Sequence, residues 1–275
     1  MLGIGGYLKR STQRSLTAIA DRRLSEQHPE AVAFYKNLEA TCMSPSHSFH
    51  VFPHLKAIYY EVPKAGSSTI MATLAEADTG RALADEHVAH DRKRSGILGP
   101  RELGLERFYE MANDPDVLKL TFVRNPYRRL VSCWVDKFST QPVRLDRRSC
   151  EVLRHGGLIP ERLDRTQPLP LADFVTLACN TARAGINGHW QLMSSMIPQG
   201  SAAPDVIGRV ETLQADLGAI LERLGASDKV SIRIHNVKQP RGAQAWLDQQ
   251  QADQIFAAYQ EDFERFGYNR ALETR

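Results

Sequence analysis

Cysteine is scarce: four residues in a chain of 275. Cys42, Cys133, Cys150 and Cys179 show no C-x-x-C spacing, and no histidines stand at zinc-ligand intervals from them, so neither a disulfide framework nor a metal site is expected. Long apolar runs are also missing. No uninterrupted stretch approaches the ~20 residues that cross a bilayer, and the amino terminus lacks the apolar core of a signal peptide. No transmembrane segment is therefore expected, and the location read from sequence is cytoplasmic. Charge of one sign is in short supply too. A formal net charge of +3 argues against a nucleic-acid partner, and the basic clusters Arg92-Lys93-Arg94 and Arg144 to Arg148 read as solvated surface. What remains, 42% hydrophobic and 24% charged residues, fits one α/β domain with a well-buried core over residues 1–275.

The most informative stretch is Ala57 to Leu74, AIYYEVPKAGSSTIMATL. Ile58, Tyr59, Tyr60 and Val62 are β-branched or aromatic, so Ala57 to Val62 reads as a buried strand that Pro63 ends by removing a backbone donor. Lys64-Ala65-Gly66-Ser67-Ser68-Thr69 follows, with a glycine for tight geometry, hydroxyls suited to N-capping, and the helical pattern Ile70, Met71, Leu74 behind them. A helix start carries partial positive charge and Lys64 adds a full one, so the loop should hold a phosphate or sulfate group. The nucleoside-triphosphate cradle G-x-x-x-x-G-K-S/T puts its lysine late, whereas Lys64 precedes the only glycine here. A kinase or nucleotide hydrolase stays open as an alternative, as does a plain capped connection with a solvated lysine.

Val117 to Phe138, VLKLTFVRNPYRRLVSCWVDKF, repeats strand, polar turn and helix with different chemistry. Leu118 to Val123 reads as the strand, Asn125-Pro126 as the break, and Tyr127, Leu130, Val131, Trp134 and Phe138 recur at helical spacing. Arg124 then stands at the strand's carboxyl end. Ser132, two turns into the helix, can face back toward it, so a guanidinium and a hydroxyl converge on a second phosphate. The plainer alternative makes R-N-P a helix-start turn and Arg129 a surface charge.

Other segments say less. Residues 1–54 read as a helical extension, with Leu16, Ile19, Ala20 and Leu24 on one helix face, then a loop around Pro45 to Pro53. His47, His50 and His54 in that region read as surface residues. His87 and His90 stand beside carboxylates in ADEHVAHD, where an imidazole oriented by an acid is a common general base and an exposed loop histidine is the plainer alternative. Ile255, Phe256, Tyr259, Phe263 and Phe266 put an amphipathic helix over Asp248 to Asn269, closing the core.

PKAGSST and FVRNPYRRLVS together resemble the two nucleotide-binding motifs of carbohydrate sulfotransferases, above all those of the chondroitin and dermatan 4-O-sulfotransferase type with their bacterial relatives. The likeness continues in order through DEHV at 85–88, GHWQ at 188–191 and DVIGRVETL at 205–213, and spans roughly residues 55–270. It implies a P-loop-like sulfotransferase fold of the α/β class, with a central, mostly parallel sheet flanked by helices. It also implies 3′-phosphoadenosine 5′-phosphosulfate as co-substrate, no metal, and a carbohydrate or glycoconjugate hydroxyl as acceptor. Lys64, Gly66, Ser67, Ser68 and Thr69 would hold the 5′-phosphosulfate, Arg124 and Ser132 the 3′-phosphate, and His87 would take the acceptor's proton, with His90 and Glu86 next in line. Arg241, in the basic loop Lys238 to Gly242, would add to the 3′-phosphate clamp. Two departures stand out. Ile70 follows the first loop where members often carry a tryptophan, which leaves adenine without its usual platform, and LMSSMIPQG replaces a cysteine pair found in the Golgi enzymes. The acceptor, the oligomeric state and the roles of His189 and Trp190 are not legible at this level. A binding protein that keeps the fold without catalysis is the third alternative.

Overall fold

A computed structural model describes residues 26–42, 44–83, 86–140, 167–234 and 246–272, with Glu86 and His87 as backbone only. The expected helix around Leu16 to Leu24 and the basic loop with Arg241 lie outside the described residues.

Helix α1 (Pro29–Thr41) leads into the one-turn helix α2 (Pro45–Ser48) and strand β1 (Phe49–Phe52). The segment read as a loop is therefore ordered secondary structure, because Phe49, Val51 and Phe52 bury fully and need a partnered backbone. β1 pairs antiparallel with β2 (Ala57–Tyr60), β2 pairs parallel with β3 (Leu118–Val123), and β3 pairs parallel with β4 (Val206–Arg209). The sheet order follows the chain, β1-β2-β3-β4. Every residue of β2 and β3 is buried, as parallel strands covered on both faces require.

Alternation along β2 sorts its side chains into two layers. Ala57 and Tyr59 join Leu120 and Phe122 under α3 (Ser67–Thr79) and α7 (Leu213–Arg223), while Ile58 and Tyr60 meet Tyr35 of α1 and Phe108 of α4 (Leu105–Asn113). A third, all-helical layer packs α5 (Pro126–Lys137), α6 (Leu171–Thr181) and α8 (Gln249–Arg265) around Trp190, Phe174 and Tyr259. Each such side chain, fully buried, contributes about 1.5–3 kcal/mol. The helix expected over Asp248 to Asn269 is α8, started by the reciprocal Asp248–Gln251 capping box.

Gly208 shows why β4 has its sequence. A Cβ there would stand 2.4 Å from Cε1 of Phe122, so only glycine lets β4 close on β3 with that ring in place.

Candidate active site

β2 leaves the ladder after Tyr60, short of the expected end at Val62 and three residues before Pro63, and the chain then turns through Lys64 at φ +68° and Gly66 at φ +78°. A left-handed lysine is strained backbone, held by its neighbours. Pro63 O accepts from Arg129 Nε at 3.0 Å, and Lys64 O accepts from Arg124 Nη1 at 3.2 Å. Gly66 is the N-cap of α3 and offers it no side-chain bond. The hydroxyl cap expected from the serines is thus absent at the cap position, which a glycine holds.

The second turn is built differently. Asn125 Oδ1 accepts from Tyr127 N at 3.0 Å and Arg128 N at 3.3 Å, and Asn125 N donates to Glu211 Oε1 at 2.9 Å. Arg124, next to this cap, is half-buried, with its Nε buried and unpartnered. Burial works against the Arg124 cation, and the nearby Glu211 carboxylate works for it.

Both turns open into one cleft of about 860 Å³, within the range of small-ligand sites. Its walls include Lys64, Gly66, Ser67, Ser68 and Thr69 from the first turn, and Arg124 and Ser132 from the second. Met196, Val210, Leu213 and Ile234 supply an apolar side. Ile70 is wholly buried in the core and is no part of it.

Lys64 Nζ lies 3.2 Å from Asp136 Oδ2, which also lies 3.2 Å from Lys137 Nζ. Burial depresses the Lys64 ammonium pKa, and Asp136 partly restores it. Burial alone would raise the Asp136 carboxyl; Lys64 and Lys137 outweigh it and hold Asp136 well below the usual carboxylate range. An incoming anion therefore competes with Asp136 for a lysine already in place.

Glu61, at the end of β2, is a buried carboxylate in the cleft wall. It accepts from His50 Nε2 at 2.8 Å, and its Oε1 lies 3.7 Å from His90 Nδ1. Burial by itself would raise it, but His50, His90 and the Ser67 hydroxyl keep it ionised. Burial likewise holds His50 neutral, so this histidine, expected at the surface, is a core donor to Glu61. His90 Nε2 reaches Ser68 Oγ at 2.9 Å, joining the histidine helix Glu86–His90 to the first turn. The side chain of His87 lies outside the described residues.

Arg129 is not a surface charge: it is 1% exposed, because three carbonyls need its donors. Besides Pro63 O it donates from Nη1 to Gln191 O and from Nη2 to Gly188 O, both at 2.6 Å. This guanidinium ties α5 to the first turn and to the GHWQ segment at once. Within that segment Trp190 anchors the core, donating from Nε1 to Thr181 Oγ1 at 2.8 Å, while His189 lines the cleft. Sequence reasoning missed Glu61, Asn187, Asp136 and Lys137 as cleft residues. Asp136 carried a signal: it lies four residues after Ser132 and so shares its helix face.

The arrangement can neutralise a doubly anionic ligand at two points and present histidines near one of them. Among the described residues, no three His, Cys, Asp or Glu side chains gather as a metal would need. The chain matches the sulfotransferase family over residues 47–269. It is similar to carbohydrate sulfotransferase 10 of Rattus norvegicus, 23% identical over 286 aligned positions that cover 90% of this chain and 80% of that protein. The same protein of Mus musculus is 24% identical over 78% of this chain and 65% of its own length. Carbohydrate sulfotransferase 9 of Homo sapiens is 25% identical over 84% of this chain and 53% of its own length, so the chain spans only about half of it. No solved structure matches.

Proposed function

The chain belongs to the sulfotransferase family, and from that premise we propose that it moves a sulfuryl group from 3′-phosphoadenosine 5′-phosphosulfate to a hydroxyl of a carbohydrate or glycoconjugate. The observation that carries this reading is the single cleft shared by the Lys64 turn and by Arg124 with Ser132. Lys64 and the α3 N-terminus would hold the phosphosulfate, and Arg124 with Ser132 the 3′-phosphate. The unpartnered Nε of Arg124 fits a bound anion, since a buried cationic donor left alone is costly. The carbohydrate class of the acceptor rests on the relatives' names.

Sulfuryl transfer needs in-line positioning and support for the charge leaving on the phosphate oxygen. Lys64 supplies that charge, helped by backbone donors, and the scheme asks for no metal, so chelator should leave transfer unchanged. The resemblance gives the proton-taking role to His87. The cytoplasmic location is kept as part of the reading, in line with the free Cys42, Cys133 and Cys179, and cell fractionation tests it.

Thermal shift with 3′,5′-bisphosphoadenosine is the first experiment: stabilisation without magnesium supports the reading. Stabilisation only by magnesium-ATP would replace it with a kinase or nucleotide hydrolase. Labelled-sulfate transfer by Lys64→Ala and Arg124→Ala follows, and near-normal rates in both would remove the reading. Binding of the bisphosphate with no transfer to any carbohydrate would leave a nucleotide-binding relative.

A further inference from the structure

One imidazole in the cleft is held with its tautomer fixed. Asn187 Oδ1 accepts the backbone N–H of His189 at 3.0 Å, which identifies that atom as the amide oxygen, and it stands 2.8 Å from His189 Nδ1. An oxygen facing Nδ1 makes Nδ1 the protonated nitrogen, so Nε2 carries the lone pair. The backbone around the ring is clamped on both sides. Arg129 holds Gly188 O and Gln191 O, Tyr259 holds Trp190 O, and Gln191 Oε1 accepts from Gly185 N at 2.9 Å. A ring so supported, in the wall of a ligand cleft, has the rigidity that a reacting group needs.

The charged groups around it keep the ring neutral. Burial is the main cause, followed by Lys137 of α5, Lys64 of the first turn and Arg129 of α5, with Glu61 just past β2 opposing; together they push His189 down to about 4.

We propose that His189 is a catalytic residue that contacts the acceptor, its Nε2 accepting the hydrogen bond of the reacting hydroxyl and then its proton. This rests on the sulfotransfer reading. The hydroxyl oxygen forms its bond to sulfur as the bond from sulfur to the bridging phosphate oxygen breaks. That electron pair leaves with 3′,5′-bisphosphoadenosine beside Lys64, and the proton stays on His189. The same cations explain an order of events. A bound donor offsets the charge of Lys64, so the imidazole gains proton affinity only once the donor is in place.

The test uses the full chain with 15N-labelled histidine and NMR titration, with and without 3′,5′-bisphosphoadenosine. Expected is a neutral ring protonated on Nδ1 at pH 7 in both states, with proton affinity at least about tenfold higher when the bisphosphate is bound. A proton on Nε2, or an imidazolium at pH 7 with bisphosphate bound, overturns the proposal while leaving sulfotransfer standing. Failure of the wild-type chain to bind the bisphosphate overturns both. In the kinetic arm, chondroitin and 4-nitrophenyl galactoside serve as acceptors with labelled donor. His189→Gln should lower turnover about 10²-fold with bisphosphate affinity unchanged within about twofold. Asn187→Ala, which keeps the imidazole but frees its tautomer, should lower turnover about tenfold. Loss in His87→Ala with none in His189→Gln overturns the proposal.

Discussion

The two strand-turn-helix units of the cleft share an outline and differ in where their donors come from. At the first, a left-handed Gly66 caps α3 without a side chain, so what this turn can offer an anion is backbone N–H groups and Lys64. At the second, Asn125 and Glu211 occupy the turn's backbone donors, and Arg124 is the group with a donor unspent. An anion site can thus be made of backbone or of side chain. A loop that must follow a group through a reaction gains from N–H donors that cost no rotamer freedom, whereas one that only anchors is served by a planar guanidinium.

Arg129 joins the two turns, and removing it should have the largest effect on both. Arg129→Met leaves the carbonyls of Pro63, Gly188 and Gln191 without their donor. At about 1–3 kcal/mol for each buried group left unpaired, the loss should come to roughly 3–5 kcal/mol after relaxation. Chemical denaturation measures it; a loss below about 1 kcal/mol would mean the turns are held independently. Lys64→Ala comes next. Turnover should fall about 10²- to 10³-fold, as when one transition-state donor is removed, with a smaller change in bisphosphate affinity. Arg124→Ala should reverse that pattern, weakening bisphosphate about 10- to 100-fold, measured by calorimetry, with the residual turnover at saturating donor less affected. Equal patterns in the two variants would erase the distinction between the turns.

Gly66→Ala tests the backbone half directly. The added methyl would meet Ile70 Cδ1 and Val210 Cγ2 at 3.6 Å, ordinary contact, so space does not forbid it. The φ of +78° does, at about 1–2 kcal/mol, and relief of that strain should swing the first N–H groups of α3 off the ligand. Bisphosphate affinity and stability should drop together in thermal shift.

How much of this could be read from residues follows the same division. β2, β3, α3, α5 and α8 announced themselves through periodicity and through Pro63 and Asn125-Pro126, and so did the two cationic turns, whereas β1 read as a loop and β4 carried no strand signal of its own. What stayed hidden depends on contacts far apart in the chain. Arg129 looks like any exposed arginine until Gly188 and Gln191, about 60 residues on, turn their carbonyls toward it. His50 looks like a loop residue until Glu61 pairs with it across the β1–β2 hairpin. The absent hydroxyl cap was a different miss. Serines in a first turn suit capping, but the turn itself places Gly66 at the cap, one residue earlier than local chemistry favours.

Asn125→Ala is the smallest change and the sharpest on the comparison. The side chain caps two N–H groups of α5, so its loss should reduce stability by about 1 kcal/mol, a shift of roughly 2–4 °C in Tm. Uncapping α5 also frees donors at the second turn and makes its helix start resemble that of α3. If anchoring there is the work of Arg124 alone, bisphosphate affinity should stay within about threefold of wild type, because the freed N–H groups turn to water. A gain beyond that would mean that a bound phosphate reaches the helix start and that Asn125 competes with the ligand for it. A loss as large as that of Arg124→Ala would mean that the cap itself holds the guanidinium in line, through the Glu211 carboxylate that Asn125 N engages and that supports the Arg124 cation.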